Sequence, residues 1–199
     1  MLCAEDANAV RLIDFGLAVQ LKLDEDGAVV PDQVLTDSAG TQAYRAPEVT
    51  TAGYEPTKVD VWALGIVLFS LVAGFFPIQE ARVEDWRFKR IAQEQLKGVS
   101  ACDAIFRMYK RQCPFSAPLR DLIDGMVRVD PSKRLSISEV SEHAWVRAPP
   151  GPYISDESFE KPRYRSISAI DADVDSYHGV PPEDAIKICR QKANRGHGL

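Results

Sequence analysis

The stretch "VWALGIVLFSLVAGFFPI", residues 61–78, carries no charged side chain over 18 positions, and its reading decides the fold. By length it reaches the lower edge of what can span a bilayer. By composition it equally fits a helix buried on all sides in a protein core, which is apolar all round. Gly65, Ser70, Gly74 and Pro77 dilute the run, Asp60 stands just before it, and no Lys/Arg cluster marks one flank. A core helix is the better reading, ending near Phe75 ahead of Pro77.

Downstream of that helix the pattern stays helical. "VEDWRFKRIAQEQLKG" places Phe88, Ile91, Ala92 and Leu96 on one face and ends in Gly98. "AIFRMYKRQ" predicts a further short helix. In "SAPLRDLIDGMVRVDP", Leu119, Leu122, Ile123, Met126 and Val127 follow the i, i+3, i+4, i+7, i+8 rule, with Ser116 as N-cap and Pro131 as the stop. "SISEVSEHAWV" opens with Ser136 and Glu139 at capping-box spacing. Upstream, "QLKLDEDGAVV" predicts a small hairpin around Asp26-Gly27, and the alternation of "AVRLIDF" predicts a strand. From Pro149 the texture becomes Pro-rich, then acidic. Residues 149–199 are expected to be a largely disordered tail, with one short amphipathic helix over 182–195.

Composition excludes several classes. A net charge of −5 argues against a general nucleic-acid binder, which needs a basic surface. Cys3, Cys102, Cys113 and Cys189 form no C-x-x-C pair, so they suggest neither a disulfide framework nor a zinc site and fit a reducing compartment. With Glu5 and Asp6 so close to Met1, no secretory signal is expected, and the expected location is the cytoplasm or nucleus.

Four motifs carry a resemblance. They are "RLIDFGLAVQ" with its Asp14-Phe15-Gly16, "GTQAYRAPE" at residues 40–48, "DVWALG" at 60–65, and "DPSKRLSISEVSEHAWV" from Asp130. In this order and spacing they resemble the C-terminal half of a eukaryotic protein kinase over residues 10–146. They resemble the calcium/calmodulin-dependent type of Ser/Thr kinase more than a Tyr kinase, with "GTxxYxAPE" carrying the Ser/Thr assignment. The implied fold is mainly α: a kinase C-lobe over residues 1–148, a helical bundle with a small β-hairpin at its N-terminal end and no N-lobe, followed by the tail. The implied activity is transfer of phosphate from ATP to Ser or Thr of protein substrates. Nothing in the residues points to calcium or calmodulin as a partner of this chain, to nucleic acid or to a membrane.

Phosphoryl transfer needs positioning and charge neutralisation more than covalent help. Mg²⁺ takes hard oxygen ligands, so a carboxylate can hold it against nucleotide phosphates. The resemblance implies that Asp14 is such a metal ligand, that Phe15 packs into the core, and that Gly16 lets the backbone rotate at this ATP-contacting motif. Taken without the resemblance, Asp14 reads as a strand-end or turn carboxylate. The resemblance further implies that Thr41 aligns the catalytic aspartate and that Gly40 gives the substrate-seating loop room to turn. It makes Glu48 and Arg134 a buried ion pair, has Asp60 bonding to catalytic-loop backbone, and packs Trp62 on the segment above. Thr36, Asp37 and Ser38 fall in the activation segment. Asp37 occupies the place of an activating threonine, where a fixed carboxylate can stand in part for a phosphate. A solvated acid is the alternative reading, and phosphorylation at Thr36 or Ser38 is a third.

No glycine-rich loop, strand lysine or H-R-D catalytic loop precedes Asp14. The expectation is a chain that binds no ATP alone, its missing partners being the N-lobe and catalytic loop. "DADVDS" at 171–176 resembles the start of an EF-hand, but Ser176 and Pro182 stand where Gly and Glu belong. "RYRSIS" sets Arg163 and Arg165 ahead of Ser166 and Ser168, a pattern basophilic kinases modify, and His143 reads as structural beside Trp145. Two further readings stand beside the enzyme: a pseudokinase-like module docking through the helix around Trp86 and "RMYKRQ", and a single-span membrane protein built on residues 61–78.

Overall fold

The computed structural model describes residues 12–26, 29–30, 33–50 and 53–148. Six α-helices form the body: α1 (Pro56–Ala73), α2 (Trp86–Leu96), α3 (Ala101–Met108), α4 (Ala117–Met126), α5 (Ile137–Glu142) and α6 (Ala144–Arg147). Short 3-10 turns cover Gln42–Tyr44, Pro47–Thr50 and Pro131–Lys133. The fold is mainly helical, as the periodicity predicts.

α1 is the hub. Pro56 sits in its first turn, where a missing N–H costs nothing, and Gly74 closes it in the left-handed conformation, φ 79°. Trp62, Ile66, Phe69 and Ala73 lie on one face and are buried. Phe69 meets Phe75, Phe106 and Phe115 in edge-on or tilted contacts, tying α1 to α3 and the loops around it. The opposite stripe corrects the expectation of burial on all sides: Leu64, Val67 and Leu71 stay exposed among the described residues. α4 crosses α1 at Gly65, where an added Cβ would come within 2.8 Å of Val127 and 2.9 Å of Met126. Only hydrogen fits there.

α2 begins at Asp85, which accepts from the Arg87 N–H at 2.8 Å and from the Gln79 N–H at 2.7 Å. Phe88 and Ile91 are buried as expected, but Leu96 is 90% exposed. Gln95 explains this second correction. Its side chain donates to the Val127 carbonyl at 2.7 Å and accepts from the Val129 N–H at 3.0 Å, so the last turn faces α4 with an amide and turns Leu96 outward. Ser116 holds the N-cap position of α4 without a side-chain bond. The Ser136–Glu139 capping box is fully formed on α5.

The β-structure is slighter than predicted. The hairpin reduces to one antiparallel bridge, Leu23 with Val29, and a second bridge joins Leu35 to Tyr54. Residues 12–15 pair with no strand among the described residues, and a strand without a partner leaves its backbone groups unpaired. Residues 149–199, with the expected tail, its helix over 182–195, the EF-hand-like stretch and "RYRSIS", lie outside the described residues, as does Gly27.

Candidate functional site

Arg134 organises the site. It is 2% exposed, and each guanidinium N–H has an acceptor. Nη1 and Nη2 fork onto the Glu48 carboxylate at 2.5 and 2.9 Å, Nη1 also reaches the Lys58 carbonyl at 2.8 Å, and Nε and Nη2 reach the Arg128 carbonyl at 3.0 and 2.8 Å. A planar fork suits this paired geometry, which a lysine cannot reproduce. The guanidinium carbon lies 5.1 Å from the centre of the Trp62 ring, adding a cation–π contact. Lys58 Nζ returns a bond to the Arg134 carbonyl at 2.7 Å. The "GTQAYRAPE" segment is thereby fixed to α1 and to the turn before α5. Trp62 is fully buried and meets Phe88 edge-on, so it packs within the core as well as beneath Arg134.

The surface end of that segment is held by Arg45. Its Nε and Nη2 donate to the Gly40 carbonyl at 2.9 and 2.6 Å, and its Nη1 donates to Ser38 Oγ at 3.2 Å. Gly40 has φ 92°, a conformation that disfavours any residue with a Cβ. Thr41 follows, exposed, its carbonyl accepting from the Tyr44 N–H at 3.1 Å. Thr36, Asp37 and Ser38 are exposed. The Asp37 carbonyl accepts from the Tyr54 hydroxyl at 2.7 Å. Burial first, then the Asp37 and Asp60 carboxylates, raise the Tyr54 phenol above its usual range. Asp60 is itself pushed up by burial, and among the described residues its carboxylate meets no hydrogen-bond donor. Arg45 and Tyr54 went unassigned in the sequence because their main targets, the Gly40 and Asp37 carbonyls, leave no mark on residue type.

Asp14 adopts φ 62°, unusual for a residue with a side chain, and its Oδ1 accepts from the Gly16 N–H at 3.3 Å. Phe15 corrects the expectation that it packs in the core, for it is 69% exposed and no described residue covers it. Gly16 keeps an ordinary φ, although an added Cβ would press on Asp14 Oδ1 at 3.3 Å. The described residues include no group of three or more His, Cys, Asp or Glu able to hold a metal. A single carboxylate does not make a Mg²⁺–ATP site, so the described residues alone do not fit that cofactor.

Comparisons with known proteins bear on the family of the chain. A family model described as "Protein kinase domain" matches residues 1–146. "CBL-interacting protein kinase 11" of Oryza sativa subsp. japonica is 36% identical over 75% of this chain and 26% of its own length. "CBL-interacting protein kinase 28" of the same plant is 32% identical over 74% of this chain and 30% of its own. "SNF-related serine/threonine-protein kinase" of Rattus norvegicus is 34% identical over 72% of this chain and 16% of its own. The chain thus spans less than a third of each of these relatives. The Ser/Thr expectation agrees with them, and the calcium/calmodulin-dependent type is only an approximate description of this neighbourhood.

Proposed function

Because the chain belongs to the protein kinase family, we propose that it is the helical, substrate-seating part of a Ser/Thr kinase that transfers the γ-phosphoryl group of ATP to proteins. The observation that carries this reading is the Glu48–Arg134 fork, which locks the segment between Gly40 and Glu48 onto α1 while leaving Thr41 at the surface. Arg45, gripping the Gly40 carbonyl, fixes the turn that presents the Thr41 hydroxyl toward an incoming substrate side chain. Asp60 is an exposed carboxylate that meets no donor among the described residues, and in the complete protein it accepts backbone N–H groups from a neighbouring loop. Asp14 is the carboxylate this chain contributes toward Mg²⁺, and its strained backbone supports a role beyond surface solvation. The family works with ATP and Mg²⁺, and residues 1–148 alone are expected to bind neither.

Within the activation segment Ser38 is the better regulatory position. Arg45 Nη1 already donates to its hydroxyl, so a phosphate there meets a guanidinium in place. The Asp37 backbone is instead engaged by Tyr54, and no such arginine stands beside Thr36 among the described residues. A second reading, a non-catalytic docking module, draws support from a cleft of about 340 Å³ lined by Trp86, Arg90, Arg107 and Met108.

The complete reading frame, incubated with ATP, Mg²⁺ and peptides offering Ser, Thr or Tyr, is expected to phosphorylate Ser and Thr. Transfer to Tyr alone refutes the Ser/Thr reading, and no transfer at all refutes the kinase reading and favours the module. The chain of 199 residues by itself is expected to show no saturable thermal shift with ATP and Mg²⁺.

A further inference from the structure

At the start of α2 two neighbours stand in each other's expected places. Arg87, a cation, is 7% exposed, whereas Trp86, one residue before it, is 45% exposed. The helix cap is the cause. Asp85 is buried and accepts from the Arg87 N–H at 2.8 Å, and the same oxygen lies 3.5 Å from Arg87 Nε. The guanidinium is thus drawn inward. Successive helical residues point about 100° apart, so Trp86 is turned away from that cap. The arrangement is costly, because Arg87 Nη2 is buried with no acceptor among the described residues. Burying the cation and exposing the indole breaks the local rule of stability, as functional surfaces do.

Trp86 forms one wall of the cleft of about 340 Å³, with Arg90 one turn along α2 and with Arg107 and Met108 from the last turn of α3. The start of one helix therefore meets the end of the next. Charge at this junction is unbalanced. Glu94 is shared between Lys97 Nζ at 3.0 Å and Arg90 Nη2 at 3.4 Å. The bond from Lys97 above all, with Arg90 and Arg107 adding, holds the Glu94 carboxyl below its usual range. Three cations thus act on one carboxylate. The acids just before α2 do not cancel the surplus, since Asp85 is matched by Arg87 and Glu84 by Arg82.

We infer that this cleft docks a short acidic segment of a partner protein, with one apolar side chain seated against Trp86 and Met108 and flanking carboxylates meeting Arg90 and Arg107. An indole face and a thioether suit an apolar side chain of variable shape. Exposed guanidinium groups take carboxylates through paired N–H bonds. The volume lies near the low end of ligand sites, about 300–1,000 Å³, and so admits a side chain or two rather than a folded surface. Charges beyond about 10 Å are screened, so a short segment meets mainly the local positive surplus. Nucleic acid would extend across a chain whose net charge is −5. Such docking deepens the reading of this cleft as a binding surface and does not depend on catalysis.

The test titrates the whole chain into a fluorescein-labelled probe peptide of glutamates around one central phenylalanine. Two control probes are the same peptide with glutamines in place of the glutamates, and labelled oligothymidylate. The expected result is a saturable rise in anisotropy with the glutamate peptide that weakens as salt is raised, and far weaker binding of both controls. The unlabelled glutamate peptide is expected to change the tryptophan emission of the wild type and not that of Trp86→Phe. Arg90→Gln and Arg107→Gln are each expected to weaken binding about threefold, with helical circular dichroism unchanged. Equal binding of the glutamine peptide overturns the charge assignment and leaves a docking cleft of another kind. Binding of neither peptide overturns the docking itself, and tighter binding of oligothymidylate assigns the cleft to nucleic acid instead. These outcomes are read in the wild type, so none depends on a variant folding, and the kinase reading stands or falls separately on phosphate transfer.

Discussion

Arg134 places a full positive charge inside the protein, where an unpaired ion costs several kcal/mol even after relaxation. The charge is tolerated because Glu48 neutralises it and two carbonyls accept its remaining protons. Glu48→Ala strands the guanidinium and is expected to lower unfolding free energy by about 3 kcal/mol, read as a fall in the urea midpoint. Arg134→Lys keeps the charge but loses the fork, and is expected to recover only part of that stability. This pair was legible in the sequence because both partners sit in motifs, though 86 residues apart. Asp14 was legible as a carboxylate of interest, but its left-handed backbone was not, since φ cannot be read from residue type. Phe15 misled for a related reason: hydrophobicity says what a side chain prefers to touch, and the described residues put nothing over it.

At the level of elements, the helices followed their periodicity and departed from it where a polar side chain had a specific job. Leu96 left the apolar face of α2 because Gln95 stitched the helix end to Val127 and Val129. Gly65 is a sharper case. In an open helix, Gly→Ala gains up to about 1 kcal/mol, but here the new methyl overlaps Val127 and Met126, and overpacking costs about 1–3 kcal/mol. Gly65→Ala is therefore expected to destabilise, and a raised melting temperature would contradict the α1–α4 contact. Asp124, which caps α3 from α4, gives a pH test. Burial raises its pKa above the ordinary 3.8 despite bonds from Ser100 and Cys102 that pull it down. The folded state thus holds this proton more tightly than the unfolded chain, a contribution fully present below the unfolded pKa and lost as pH rises through the raised folded value. Relative to Asp124→Asn, which cannot titrate, the wild-type chain is expected to lose stability as pH rises from 3.8, measured by denaturation at a series of pH values. Glu94, Asp130 and Glu139, whose pKa values are lowered, act in the opposite sense and cancel in this comparison.

Across the whole molecule, some apolar side chains are buried in the core and others stay exposed. Trp62, Phe69, Phe106 and Phe115 close the helical platform, while Leu12, Ile13, Phe15, Leu17, Leu64 and Leu71 stay open to solvent. Surface of this kind is expected to bind an apolar dye such as ANS in the native chain. The helical class and the platform were readable from the apolar run at 61–78 and the motifs around it. The exposed half of α1 was not, because composition shows that a helix is apolar and is silent on what lies against each side. The β-hairpin was overread, since turn residues mark a reversal without ensuring paired strands on either side. The central claim is that Asp14 works as a metal-holding carboxylate of a Ser/Thr kinase built on this platform. Its most direct test is phosphate transfer to a Ser/Thr peptide by the complete protein, wild type against Asp14→Asn, with unfolding midpoints measured in parallel. The account predicts a loss of about 100-fold or more in rate with the midpoint unchanged, because phosphoryl transfer depends heavily on charge neutralisation by the metal. Equal rates for the two proteins would contradict it.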